Sequence, residues 1–83
     1  MTRAKVLMPQ WGMGMREGTI TEWLKTEGDH VAVGDPLVEV ETDKVTEVVT
    51  ATLSGTLVRI AAQTGEAVEV QGLLAEIEPD AGP

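Results

Sequence analysis

A length of 83 residues bounds the chain to one domain, and a domain that small buries only about 60–65% of its unfolded surface, so its core must be compact. Six basic against 14 acidic residues give a net charge of −8, which argues against nucleic-acid or anionic-membrane binding, since both need clustered Lys and Arg. Without cysteine there is no disulfide staple or thiolate metal site, and with Trp11 and Trp23 as the only aromatic residues the interior must be built from Val, Ile, Leu, Met and Ala.

In chain order, an opening strand is predicted at Lys5 to Met8. Its apolar run is too short for a signal peptide and Pro9 interrupts it. No segment approaches the length that spans a bilayer, so the expected location is a bacterial cytoplasm or a mitochondrial matrix. The stretch Met8-Pro9-Gln10-Trp11-Gly12-Met13-Gly14-Met15 is the least ordinary. Its glycines do not form a phosphate loop, because no Gly-Lys-Ser/Thr follows and no helix opens. Either its Met and Trp side chains cover the end of the core, or Trp11 and Met13 stand out as a contact surface.

From Gly18 onward the chain repeats itself. Gly18 to Asp43 aligns without gaps on Gly55 to Asp80 at an offset of 37, with nine of 26 pairs identical, where average residue usage would give roughly two by chance. Each copy reads as a strand (Gly18 to Lys25, Gly55 to Ala62), a turn around Gly28 or Gly65, and a short strand (His30 to Val33, Ala67 to Val70). A second turn (Gly34-Asp35-Pro36, Gln71-Gly72) and a closing strand (Leu37 to Thr42, Leu73 to Glu78) complete it. Gly28 and Gly65 are expected at positive φ. Ile20, Trp23 and Leu24 cannot all lie on one face of a regular strand, which calls for a β-bulge or for burial on both faces. A central strand over Val45 to Ala51 brings the count to about eight, and no stretch has a helical apolar period. The expectation is an all-β domain of two small antiparallel sheets packed face to face, with internal two-fold symmetry. The tail from Pro79 loses its apolar content and reads as the start of a flexible linker, so the domain is expected over 1–78 and linker over 79–83.

Between the copies, two alternating runs flank Asp43-Lys44, which predicts a hairpin with a lysine at its tip. The repeat mate of Lys44 is Ala81, so the symmetric scaffold carries the amine at one end only. Carboxylates at Glu39, Glu41, Asp43 and Glu47 favour the charged ammonium, holding it at or above its ordinary value of about 10.4. A nucleophilic lysine needs the opposite surroundings. Lys44 therefore reads as an attachment point and not as a catalyst.

Glu41-Thr42-Asp43-Lys44-Val45, together with Gly18-Thr19-Ile20-Thr21-Glu22-Trp23-Leu24-Lys25-Thr26-Glu27-Gly28-Asp29 and the later Gly55-Thr56-Leu57 strand, resembles the lipoyl domain of 2-oxo acid dehydrogenase complexes. The resemblance runs from Met8-Pro9 to Ile77. It implies a flattened barrel of two four-stranded sheets, a barrel-sandwich hybrid, with lipoic acid amide-linked to Lys44 as a swinging arm. It also implies partners: a lipoate ligase or lipoyl transferase, a thiamine-diphosphate 2-oxo acid decarboxylase, an acyltransferase core and dihydrolipoamide dehydrogenase. The module itself would be no enzyme and monomeric in isolation, with a dihydrolipoamide acyltransferase as the implied parent chain. Turn recognition would fall to Glu41, Thr42, Asp43, Val45 and Thr46, and partner contact to Trp11, Met13, Glu39 and Glu47. The loop departs from the family's habit of a Ser or Thr near Gly14, and its Trp-Gly-Met wording is similar to acetoin and branched-chain types. The alternatives are a biotinyl carrier, which normally has methionine where Asp43 and Val45 stand, and an unmodified β interaction domain. His30 has no cysteine or second histidine with which to build a metal site or a triad, and Glu27 and Asp29 read as turn residues.

Overall fold

The computed structural model describes residues 3–43 and 45–80. Eight strands follow one another: β1 (Ala4–Leu7), β2 (Glu17–Trp23), β3 (His30–Val31), β4 (Pro36–Glu41), β5 (Thr46–Thr50), β6 (Gly55–Ile60), β7 (Ala67–Glu69) and β8 (Leu73–Pro79). They form two four-stranded sheets, ordered β1-β8-β6-β3 and β5-β4-β2-β7, and every pairing is antiparallel. β8 runs through Pro79, which pairs with Gly55, and the Asp80 N–H donates to the Ser54 carbonyl at 3.1 Å. The folded part thus reaches two residues past the boundary expected at 78; residues 81–83 lie outside those described.

The apolar positions of both copies meet between the sheets. The repeat pairs Ile20/Leu57, Leu37/Leu74, Val38/Ala75 and Val40/Ile77 are all buried, and Met8 joins them. Aliphatic side chains pack at crystal-like density without aromatics when their volumes interdigitate. No buried side-chain polar atom among the described residues lacks a partner. The strand that could not be assigned one face contains a bulge: β2 pairs Ile20 with Val40 but then Glu22 with Glu39. The extra residue, Thr21, turns Ile20 and Trp23 to the same side. β6 repeats this, passing from Leu57↔Ile77 to Arg59↔Glu76. Trp23 is half-buried against the core, and its indole N–H donates to the Ala62 carbonyl at 2.8 Å.

The copies interlock through their first turns. The Gly28 N–H donates to Leu57 O at 2.7 Å, and the Gly65 N–H to Ile20 O at 2.7 Å. In return the N–H groups of Leu57 and Ile20 donate to Asp29 O and Glu66 O, each at 2.9 Å. Both glycines have positive φ, +98° and +94°, a conformation that strains any side chain.

The symmetry extends to the outer strands in a different frame. Ala4 lies opposite Ile77 as Glu47 lies opposite Val40, and Val6 opposite Ala75 as Val49 opposite Val38. β1 and β5 therefore correspond at an offset of 43, not 37. The six additional residues fall between β1 and β2, in the loop that carries Trp11 and Met13.

Candidate functional site

The β4–β5 hairpin closes at the pair Glu41↔Thr46. Beyond it the Thr42 N–H donates to the Val45 carbonyl at 2.8 Å. The Thr42 hydroxyl donates to that same carbonyl at 3.1 Å and accepts from the Val45 N–H at 3.3 Å. Three hydrogen bonds thus fasten Thr42 to Val45, and the chain between them consists of Asp43 and Lys44. Lys44 itself lies outside the described residues. Threonine suits this position because its hydroxyl both donates and accepts.

Around the turn, Glu41, Asp43, Val45 and Thr46 are exposed. Glu47 stands opposite buried Val40, so its half-buried side chain leaves the sheet on the core side and lines a groove with the β1–β2 loop. Glu39 does not join this group. It lies on the outer face of the sheet opposite Glu22 and Val48, and its Oε1 accepts from the Thr21 hydroxyl at 2.9 Å.

The β1–β2 loop combines both roles expected of it. Met8 is fully buried, and Trp11 and Met15 are half-buried against the core. Met13 is fully exposed. Gln10 Nε2 donates to Gly12 O at 3.2 Å, the Met15 N–H donates to the same oxygen at 3.2 Å, and the Trp11 N–H points to the Met15 sulfur at 3.4 Å. Trp11, Met13, Met15 and Arg16 form one wall of an open groove of about 1000 Å³, and Thr42, Asp43, Val45 and Glu47 form the other.

Charge is segregated between the sheets. The strands β2, β4, β5 and β7 hold glutamates but no lysine or arginine, with Glu17 directly opposite Glu69 and Glu22 opposite Glu39. On the other sheet Glu76 accepts from Arg3 at 3.3 Å and Arg59 at 3.4 Å. Like charges across a ladder weaken it, so the acidic face is not there for stability.

Of the remaining titratable groups, Glu27 Oε2 accepts the Ile60 N–H at 2.8 Å. Asp29 accepts from the Thr26 N–H at 2.9 Å and its hydroxyl at 3.1 Å; the backbone bond first, then the hydroxyl, hold its carboxyl below the ordinary value. His30 is exposed at the start of β3, and its Nε2 lies 3.0 Å from both Asp80 oxygens, a link that the sequence did not reveal. No group of three or more His, Cys, Asp or Glu among the described residues could hold a metal ion.

The biotin/lipoyl family model, described as "Biotin-requiring enzyme", matches residues 4–77. Among similar proteins, the dihydrolipoyllysine-residue acetyltransferase component of the acetoin cleaving system of Cupriavidus necator is 45% identical over 74 residues, covering 89% of this chain and 20% of that protein. The corresponding component of the pyruvate dehydrogenase complex of Corynebacterium glutamicum is 46% identical over 72 residues, covering 87% of this chain and 11% of that protein. The chain thus spans a fifth or less of the length of these relatives. Among solved structures, the lipoyl domain of the 2-oxoglutarate dehydrogenase complex from Azotobacter vinelandii superposes with a TM-score of 0.76 at 27% identity, covering 93% of this chain and 98% of that one. The urea carboxylase of Kluyveromyces lactis superposes with a TM-score of 0.79 at 28% identity, covering 94% of this chain and 6% of that one.

Proposed function

Because the chain belongs to the biotin/lipoyl attachment family, a family of covalently loaded carriers, we propose that it carries lipoic acid in amide linkage on Lys44 and serves the acyltransferase component of a 2-oxo acid dehydrogenase complex. Family membership alone does not choose between lipoate and biotin, since one family model covers both attachments. Lipoate is favoured by the flanks Asp43 and Val45, where biotinyl domains normally have methionine, and by relatives named for a dihydrolipoyllysine residue.

The observation that carries the reading is the locked turn. Thr42 and Val45 are bonded to each other through backbone and hydroxyl, and Lys44 is one of the two residues that span them. A modifying ligase meets a turn whose ends are already fixed. The surroundings fit a tethered group, because a Cβ added at Gly12 or Gly14 beside the turn would meet nothing within 4 Å.

When bound, the lipoyl group supplies a disulfide that can accept an acyl group and two electrons together. The domain's own residues position it and select partners. Tethering on lysine and linker turns encounters into intramolecular ones at effective concentrations reaching the millimolar range. The partners proposed are a lipoate ligase or lipoyl transferase, a thiamine-diphosphate decarboxylase, the acyltransferase core and dihydrolipoamide dehydrogenase, and the place is a bacterial cytoplasm or a mitochondrial matrix. Glu41, Asp43 and Glu47 beside the turn, continued by the acidic outer face, suit basic surfaces on those enzymes and would set encounter rate more than affinity.

The test is intact-mass measurement after incubation with lipoate ligase, lipoate and ATP, in parallel with biotin ligase and biotin. A single lipoyl adduct is expected on the parent chain and none on Lys44→Arg, whose unfolding midpoint should match the parent's. A biotinyl adduct alone, no adduct, or an adduct that survives Lys44→Arg would refute the reading.

A further inference from the structure

We propose that the groove between the β1–β2 loop and the β4–β5 hairpin is a resting site for the sulfur-bearing end of the arm that Lys44 carries; this rests on the lipoyl reading above. The groove is built beside the tether, because its far wall includes Asp43 and Val45, the two residues bonded to Lys44. Its near wall offers the indole of Trp11 and the thioethers of Met13 and Met15. A dithiolane is apolar and polarizable and forms only weak hydrogen bonds. Thioether and indole surfaces match it better than water does. The volume of about 1000 Å³ is at the upper end of what small-molecule sites offer.

Two further observations point the same way. The loop is the six-residue departure from the internal symmetry, and it stands at the lysine end of the scaffold. It is also preformed: the bonds from Gln10 and Met15 to Gly12 O fix it without a ligand, so docking would cost little ordering. Met13 nevertheless stays fully exposed, an apolar side chain presented where the arm can reach it. With an effective concentration in the millimolar range, a contact of millimolar intrinsic affinity is occupied about half the time. That is enough to shelter the ring and weak enough to release it to a partner.

The experiment compares ¹H–¹⁵N spectra of the unmodified, lipoylated and octanoylated chain, each confirmed by mass; the octanoyl arm has the same length without sulfur. Lipoylation is expected to shift the Trp11 indole N–H and the amides of Gly12 to Arg16, leaving the Trp23 indole, held to Ala62 O, as an unmoved reference. Octanoylation should produce smaller shifts, and Met13→Ser, a change at a fully exposed residue that leaves folding intact, should lose most of the lipoyl-induced shift at Trp11. A mass-confirmed lipoyl adduct whose shifts are confined to Thr42 to Thr46 would overturn the resting site and leave the lipoyl reading standing. Equal shifts from both arms would overturn the role given to sulfur. Absence of any adduct would remove the lipoyl reading, and this inference with it.

Discussion

Adding one methyl group at Gly55 should destabilise the domain more than the same addition at its repeat mate Gly18, although the two occupy equivalent places. A Cβ at Gly55 would press into the Glu78 carbonyl oxygen and lie 2.8 Å from Ile77 Cγ2 and 2.9 Å from the Glu78 carbonyl carbon. Two of those three atoms are backbone of the ladder partner β8, which pairs with β6 from Gly55↔Pro79 onward. No rotamer relieves that contact; the strands must part. At Gly18 the nearest atoms are the Val40 Cγ1 methyl and the end of Met8, whose Sδ and Cε lie at 3.3 Å. Met8 repacks readily; the buried Val40 methyl is stiffer and sets most of the cost, but it is a side chain that can shift without parting two strands. Overpacking typically costs about 1–3 kcal/mol, so Gly18→Ala belongs near the lower end and Gly55→Ala at about 3 kcal/mol or beyond. A chain of this length has roughly 4–12 kcal/mol of total stability, and each kcal/mol lowers the midpoint by about 4–8 °C. Thermal unfolding followed by far-UV circular dichroism should therefore show a drop of at least about 12 °C for Gly55→Ala and roughly 4–10 °C for Gly18→Ala. A Gly55→Ala midpoint within about 4 °C of the parent, or a reversed order, would refute the close-approach argument.

Thr42→Val keeps the shape of the turn residue and the 2.8 Å backbone bond but removes both hydroxyl bonds; it should cost about 1 kcal/mol or less at this half-exposed site and slow modification by the ligase, read by time-resolved intact mass. Asp29→Asn should flatten the acid limb of the stability curve. The folded carboxyl lies below its ordinary value, so its contribution is present above the unfolded value and lost as pH falls through the folded one, below about pH 4. Denaturant midpoints measured between pH 5 and pH 2.5 should therefore decline less steeply in the variant, and identical slopes would exclude the Thr26–Asp29 bonds as their source.

Much of this was legible because the repeat reports on packing. Aligned apolar pairs such as Ile20/Leu57 and Val40/Ile77 are the two inner faces meeting, and the conflict among Ile20, Trp23 and Leu24 marked a bulge that both β2 and β6 contain. Glu39 shows where the reading ran out. Alternation places it on Glu41's face, but the bond it accepts from Thr21 crosses strands, and cross-strand register is not written in a spacing. Glu47 was named for partner contact, but the direction of its side chain was hidden for the same reason: only its partner Val40 reveals that it turns toward the loop. Gln10, which braces that loop, gave no signal, since one amide among many polar residues marks nothing until its acceptor is known.

Two ends built from one repeat must differ for only one to be recognised. The interlock of Gly28 with Leu57 and Gly65 with Ile20 ties each half to the other, so neither half can shift its turn without straining its partner. A scaffold so constrained cannot mark one end by bending. It can do so only by what is added to the surface, and the additions are a lysine where the second copy has alanine and six residues between β1 and β2. The groove puts the second addition against the hairpin that bears the first. On the proposed function, partner selection therefore has to be read from the loop and the turn together with the acidic outer face of the hairpin's own sheet, because the backbone itself is nearly the same from either end.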